Sequence, residues 1–259
     1  MSTTTQRNTS TIPSKTARDQ KQTQSLSSLA VVQAIENSRF PVYIVKNTHD
    51  QTRYAMKLYP SEQDGVPSDF FLNELRFTQI DHPNLLKYHS FEVNKNFPIF
   101  GDKPASYILM EYAPYGDFFD ALRSMSFNEK LIRTYFHQLV NTIDFLHQKS
   151  VFHLDLKLEN MMLGSNFELK LIDFELSAKG RHEKIIHRGS KNYRAPEILN
   201  ERCEDAAAAD VYSIAIILFV LRTRGYFPHY ENELYKGYNF FNLLENNTEE
   251  FWNGHIVTQ

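Results

Sequence analysis

The sequence predicts an α+β chain in two lobes, a small strand-rich one followed by a larger helical one. Three observations carry that expectation. Alternating apolar and polar residues recur before residue 112, helical apolar spacing takes over after Gly116, and an unbroken apolar run, "IAIILFVL", fills 214–221.

Residues 1–28, "MSTTTQRNTSTIPSKTARDQKQTQSLSS", are mostly Ser, Thr and Gln with little to bury, so a disordered tail is expected there. One domain is expected over 29–259, with its small lobe at about 29–112 and its large lobe at about 113–259. "PVYIVKN" and "RYAMKLY" read as two strands joined by the polar turn "NTHDQT". "PSDFFLNELRFTQI" reads as a helix starting near Ser68 or Asp69, and "SYILMEY" (106–112) as another strand. "FNEKLIRTYFHQLVNTIDFLHQ" has apolar residues at 131, 132, 135, 136, 139, 140, 143 and 146, the spacing of a long packed helix. "VFHLDLKLENMML" (151–163) alternates like a strand whose wet face carries His153, Asp155, Lys157 and Glu159. After a turn at Gly164, Ser165 and Asn166, "FELKLIDF" (167–174) alternates again. A loop then leads to "YRAPEIL" and to a buried helix from Asp210 to Leu221.

Hydrophobic residues make up 42% of the 259 and charged residues 23%, a balance that supports a sizeable core. A net charge of −3 argues against a dedicated nucleic-acid binder. The run at 214–221 is too short to span a bilayer, and the N-terminus lacks the apolar stretch of a signal peptide. The single cysteine, Cys203, fits a reducing compartment. A cytoplasmic protein without membrane or nucleic-acid partners is expected.

Several charged residues stand where chemistry would need them. The turn between "NMML" and "LKLID" sets Asn160 and Asp173 almost opposite each other, two hard oxygen donors of the kind that suits Mg²⁺. Asp155 and Lys157 lie just upstream as a base and a cation. Any one of these alone is more simply a polar sheet rim. Lys57 shares a strand face with Ala55, and Glu74 lies on the apolar side of its helix among Phe70, Phe71 and Phe77. A carboxylate there costs several kcal/mol unless paired, and Lys57 is the natural partner. Snorkelling to water is the alternative for each taken singly.

Together, "YAMK", Glu74, "HLDLKLEN", "DFE", "GSKNYRAPE" and "DVYSIAIILF" resemble the eukaryotic protein kinase family, Ser/Thr type, in order and spacing from about 35 to 253. The resemblance implies a bilobal kinase-like fold, ATP and Mg²⁺, and transfer of the γ-phosphate to protein hydroxyls. It implies that Asp155 accepts or orients the hydroxyl proton and that Lys157 neutralises the phosphoryl group in flight. Lys57, positioned by Glu74, would contact the α- and β-phosphates, and Asn160 and Asp173 would hold Mg²⁺. Val42, Ala55 and Met162 would sandwich the adenine, with Met110 beside it. The backbone of Glu111 and Ala113 would bond the adenine edge, and Asp117 would meet the ribose. Asp210 would brace the catalytic loop through its backbone. Lys157 with Ser190 is the Ser/Thr rather than the tyrosine pattern. Asp117 and Glu159 sit where some relatives grip arginines near the target, implying basic substrates; two solvated surface acids is the other reading.

The chain departs from the family at four places. "IENSRFPV" replaces G-x-G-x-x-G-x-V, so backbone amides are expected to grip phosphates less closely. Leu154 replaces the arginine that receives an activation-loop phosphate, implying no such switch. Glu175 replaces the glycine of D-F-G, a change expected to stiffen that hinge and to set a charge near the metal. No arginine follows Arg224, so Glu197 is expected to lack its partner and the large lobe to be incomplete; a missing stretch, a partner chain or a loosened lobe would each explain it. The expected function is a Mg-ATP-dependent Ser/Thr protein kinase, because Lys57, Glu74, Asp155, Asn160 and Asp173 are all present. The alternative is a pseudokinase acting as a scaffold or allosteric partner. A regulatory partner fits either.

Overall fold

The computed structural model describes residues 28–35, 38–61, 66–97, 101–125, 127–182, 188–199, 203–228 and 249. The expected tail therefore lies outside the described residues up to position 27, as do most of the positions after Pro228. The chain forms two compact units, one of residues 1–80 with 87–112 and one of 81–86 with 113–259. Residues 81–86, expected in the small lobe, fall in the second unit.

The first unit is a five-stranded antiparallel sheet in the order β1-β2-β3-β5-β4. Its strands are β1 (Leu29–Ile35), β2 (Val42–Asn47), β3 (Arg53–Pro60), β4 (Tyr88–Phe97) and β5 (Gly101–Glu111). The expected hairpin is β2–β3, paired from Val42↔Lys57 to Lys46↔Arg53. Two strands carry no clean period in the sequence, for identifiable reasons. β1 is exposed beyond Leu29 and Ala30, so its apolar letters mark no buried face. β4 is broken by three register irregularities against β5, which scramble its alternation.

One sheet face is core: Val45, Tyr54, Met56, Leu58, Tyr107 and Leu109 pack with Leu29. Strand alternation puts Ala55, Lys57 and Tyr59 on the other face. The helix α1 (Asp69–Leu75) buries Phe71, Glu74 and Leu75. It is shorter than the expected 67–80 because its second half tightens. Arg76 N donates to Asn73 O and Phe77 N to Glu74 O, and the Thr78 hydroxyl takes up Leu75 O.

The second unit contains α2 (Phe118–Ser124), α3 (Glu129–Gln148), α4 (Pro196–Leu199) and α5 (Ala206–Arg222), with short strands β6 (Val151–Phe152), β7 (Met161–Leu163), β8 (Leu169–Leu171) and β9 (Ala178–Lys179). Asn128 caps α3 by accepting from Leu131 N at 2.9 Å. Residues 81–86 belong here through backbone bonds. Leu86 N donates to Leu171 O at 3.0 Å and Leu171 N to Asn84 O at 2.8 Å, while Asn84 Nδ2 reaches Leu169 O and Gln138 Oε1. No helix among the described residues is long and apolar enough to cross a membrane.

The stretch 151–163 is not one strand with a wet face. Only Val151–Phe152 and Met161–Leu163 are strands, with a 3-10 turn at Leu158–Asn160. Leu154, Leu156 and Leu158 are buried, but so are His153 and Asp155. The alternation reflects a loop enclosed on both sides.

Asp205 joins two parts of the second unit. Its carboxylate caps α5 at Ala207 N and Ala208 N and takes a two-pronged bond from Arg181, Nε at 2.9 Å and Nη2 at 2.7 Å. The Arg181 bond, aided by the cap amides, holds the carboxyl down from 3.8 to about 2. A depressed carboxylate adds stability at pH above its unfolded value that is lost as pH falls through its folded one. The stability difference between wild type and Asp205→Asn is therefore expected to be full above about pH 4 and to shrink toward pH 2. Urea unfolding across that range measures it; a difference that does not vary with pH excludes the ion pair as its source.

Candidate active site

The loop 153–160 is built around Asp210, a carboxylate with no solvent exposure near the start of α5. Its Oδ2 accepts from His153 N and the His147 ring at 2.9 Å each, and its Oδ1 accepts from Leu154 N at 2.8 Å. Leu154 has φ of 61°, a left-handed conformation that costs an L-residue about 1–2 kcal/mol. The Asp210 bonds hold it there. Its side chain packs in an apolar cluster with Phe152, Ala178, Ala195, Ile198, Cys203, Ala206 and Ala209, a setting that suits leucine and would strand a guanidinium. His153 is equally fixed. Asp155 N donates to Nδ1 at 3.3 Å, so the ring proton sits on Nε2 and donates to Ile172 O at 2.9 Å.

Asp155, Lys157, Ser190 and Asn160 meet at the end of this loop. Lys157 Nζ lies 2.9 Å from Asp155 Oδ2 and 3.0 Å from Ser190 Oγ, and Ser190 Oγ donates to Asp155 Oδ1 at 2.8 Å. Burial alone would lower the Lys157 pKa, but the Asp155 carboxylate outweighs it, with help from Asp173 and Glu159, and the ammonium is held above its usual range. A charged lysine beside Asp155 is thus the resting state. Asn160 Nδ2 donates to Asp155 O at 2.8 Å and to Oδ2 at 3.2 Å. That commits its nitrogen inward and presents its carbonyl oxygen as the atom a hard cation would take.

The expected facing of Asn160 and Asp173 is off by one residue. The β7–β8 register runs Met161↔Leu171 to Leu163↔Leu169, and Ile172 N bonds Asn160 O, so Ile172 is the residue opposite Asn160. Asp173 follows with φ of 71°, which turns the chain out of the strand. A carboxylate oxygen of Asp173 lies within 4.8 Å of one from Glu175, and the Glu175 side chain is buried. Asn160, Asp173 and Glu175 each offer oxygen donors, the ligand type that suits a hard cation such as Mg²⁺.

Gly189 gives this cluster its backbone. With φ of +88°, an added Cβ would lie 2.5 Å from Leu154 O. Gly189→Ala is expected to cost about 1–3 kcal/mol and to displace Ser190 from Asp155. Denaturant unfolding checks the first effect; peptide phosphorylation, falling more than the stability loss explains, checks the second.

In the first unit, Lys57 Nζ lies 3.2 Å from Glu74 Oε2, and Glu74 is 1% exposed. Val42 pairs with Lys57 and Met110 with Ala55, so these four share one face of the sheet. Glu111 N donates to Lys87 O at 2.8 Å, and its carboxylate accepts from Lys87 N. Phe40, from the segment without glycines, packs with its ring tilted 4.7 Å from Tyr59 and lies 5.8 Å from the Lys57 ammonium. In the second unit, Ala113 is buried and Met162 bridges to Asp117. One Asp117 oxygen caps α2 by accepting from Asp120 N at 2.8 Å, and burial raises its pKa. Glu197 is only half-buried, which relieves the penalty expected for an unpartnered buried acid. Tyr59 and Tyr88 were not legible as site residues, though Tyr59 stands two positions from Lys57 on the same strand face, while His153 and Gly189 were seen only as letters of larger motifs.

A sequence model described as "Protein kinase domain" matches residues 40–253. The chain is 39% identical over 164 residues to "CBL-interacting protein kinase 26" of Oryza sativa subsp. japonica, 61% of this chain and 31% of that protein. It is 34% identical over 199 residues to "CBL-interacting serine/threonine-protein kinase 26" of Arabidopsis thaliana, 73% of this chain and 43% of that one. The matched stretches thus span less than half the length of these relatives.

Proposed function

The chain belongs to the protein kinase domain family, and on that premise we propose that it transfers the γ-phosphate of ATP to serine and threonine hydroxyls of proteins. The observation that carries the reading is the meeting of buried Asp155 and Asn160 with half-buried Lys157 and Ser190 at the end of one loop. Asp155 is fixed by three neighbours, and its carboxylate orients the substrate hydroxyl and takes its proton. Lys157, held charged, offsets negative charge on the phosphoryl group in transit. In this proposal Lys57, paired with Glu74, binds the α- and β-phosphates, while Val42, Ala55, Met110, Met162 and the backbone of Glu111 and Ala113 take the adenine and Asp117 the ribose. Mg²⁺ held by Asn160 and Asp173 would neutralise phosphate charge when bound.

Substrates with basic residues near the target fit the acids Asp117 and Glu159. The names of the relatives carry a CBL interaction, and a regulatory protein partner is the corresponding proposal for this chain. Its single cysteine supports action in the cytoplasm. The test is incubation with γ-labelled ATP and a Ser/Thr peptide library, with and without Mg²⁺, followed by phosphoamino-acid analysis. Mg²⁺-dependent phosphoserine and phosphothreonine are expected; no label in either, with folded protein, overturns the reading.

A further inference from the structure

Glu74 has more partners than one lysine. Besides Lys57, the Tyr59 hydroxyl donates to its Oε2, and the Tyr88 hydroxyl donates to its Oε1 at 2.9 Å. All four residues belong to the first unit. The tyrosines reach the carboxylate from different strands, Tyr59 from β3 and Tyr88 from the start of β4. Neither hydroxyl is placed loosely. The Tyr59 ring is fully buried between Phe40 at 4.7 Å and Phe71 at 5.5 Å. Tyr88 is kept neutral, and therefore a donor, by burial and by the Glu74 charge.

The arrangement solves a specific electrostatic problem. A lysine that binds phosphate must share its ammonium with an anion, yet a buried carboxylate deprived of its cation is costly. With two hydroxyl donors, one on each oxygen, Glu74 stays satisfied while the lysine turns. Without them, Glu74 would draw Lys57 back and compete with the phosphates for it.

We propose that Tyr59 and Tyr88 are positioning residues for phosphoryl transfer, holding the Glu74 carboxylate by their hydroxyls so that Lys57 can engage nucleotide phosphate. This rests on the kinase reading above. It predicts a defect in nucleotide binding rather than in the chemical step.

The test uses the full chain with Tyr59→Phe, Tyr88→Phe and the double variant, which keep the rings and remove the hydroxyls. Calorimetric titration of MgATP and steady-state peptide phosphorylation are the readouts. The double variant is expected to raise the Kd and KM for MgATP by about tenfold with kcat changed less than about twofold. In a Glu74→Gln background the same changes are expected to add less than about twofold, since the hydroxyls then have no carboxylate to hold. If wild type binds MgATP and the double variant binds it equally well, the proposal fails while the kinase reading stands. A full effect in the Glu74→Gln background fails it too. Should wild type not bind MgATP, both fall. If the double variant does not fold, each single variant, which leaves Glu74 one hydroxyl donor, is read by the same criteria.

Discussion

Replacing Asp210 by alanine is expected to lower the unfolding temperature by about 10 °C and to abolish phosphorylation of peptides. The substitution leaves two buried backbone amides, of His153 and Leu154, without their acceptor and takes the carboxylate from the His147 ring. Losing the acceptor of a buried, charged hydrogen-bond network costs about 3–5 kcal/mol. Leu154 then has nothing to hold it at a φ of 61°, and its relaxation moves Asp155, the next residue in the chain, and disturbs the close approach of Gly189 to Leu154 O. Asp210→Asn should fall between, because one amide oxygen can serve only part of this set. Differential scanning calorimetry on the three proteins checks the order. An alanine variant within about 1 kcal/mol of wild type would show that the loop is braced from elsewhere.

The second large effect is on rate. Asp155→Asn is nearly the same size; its one oxygen can accept from Lys157 while the Ser190 hydroxyl turns to accept from the amide nitrogen, so the fold should survive with little change. Asn cannot take a proton, and kcat for peptide phosphorylation is expected to fall by about 10²–10⁴. The KM for MgATP should stay within about twofold, because in the proposed chemistry Asp155 faces the hydroxyl and not the nucleotide. A parallel fall in stability would point to a structural role for the carboxylate instead.

How much of this was written in the sequence differs from part to part. Segments with one buried face were legible. The β2–β3 hairpin and α3 follow their hydrophobic periods, because each presents a single apolar side to a single neighbour. Segments without one buried face were not. β1 is exposed over most of its length, β4 is irregular, and 153–157 is enclosed all round, so its alternating letters mimic a strand. Among the site residues, Lys57 and Glu74 announced themselves as charges in apolar company, and their 3.2 Å contact is found. The offset between Asn160 and Asp173 could not be read, because it is set by the β7–β8 register, which depends on a turn with Phe167 at a positive φ, and that leaves no pattern. Nor could the role of Tyr88, whose hydroxyl meets Glu74 only once β4 is placed in the sheet.

The most direct measurement compares wild type and Asp155→Asn at saturating MgATP, following transfer of the γ-label to Ser/Thr peptides in a single turnover. If Asp155 is the group that handles the hydroxyl proton, wild type transfers label and the variant is slower by at least about a hundredfold at equal nucleotide occupancy. Equal rates in the two proteins, fast or at background, would contradict it.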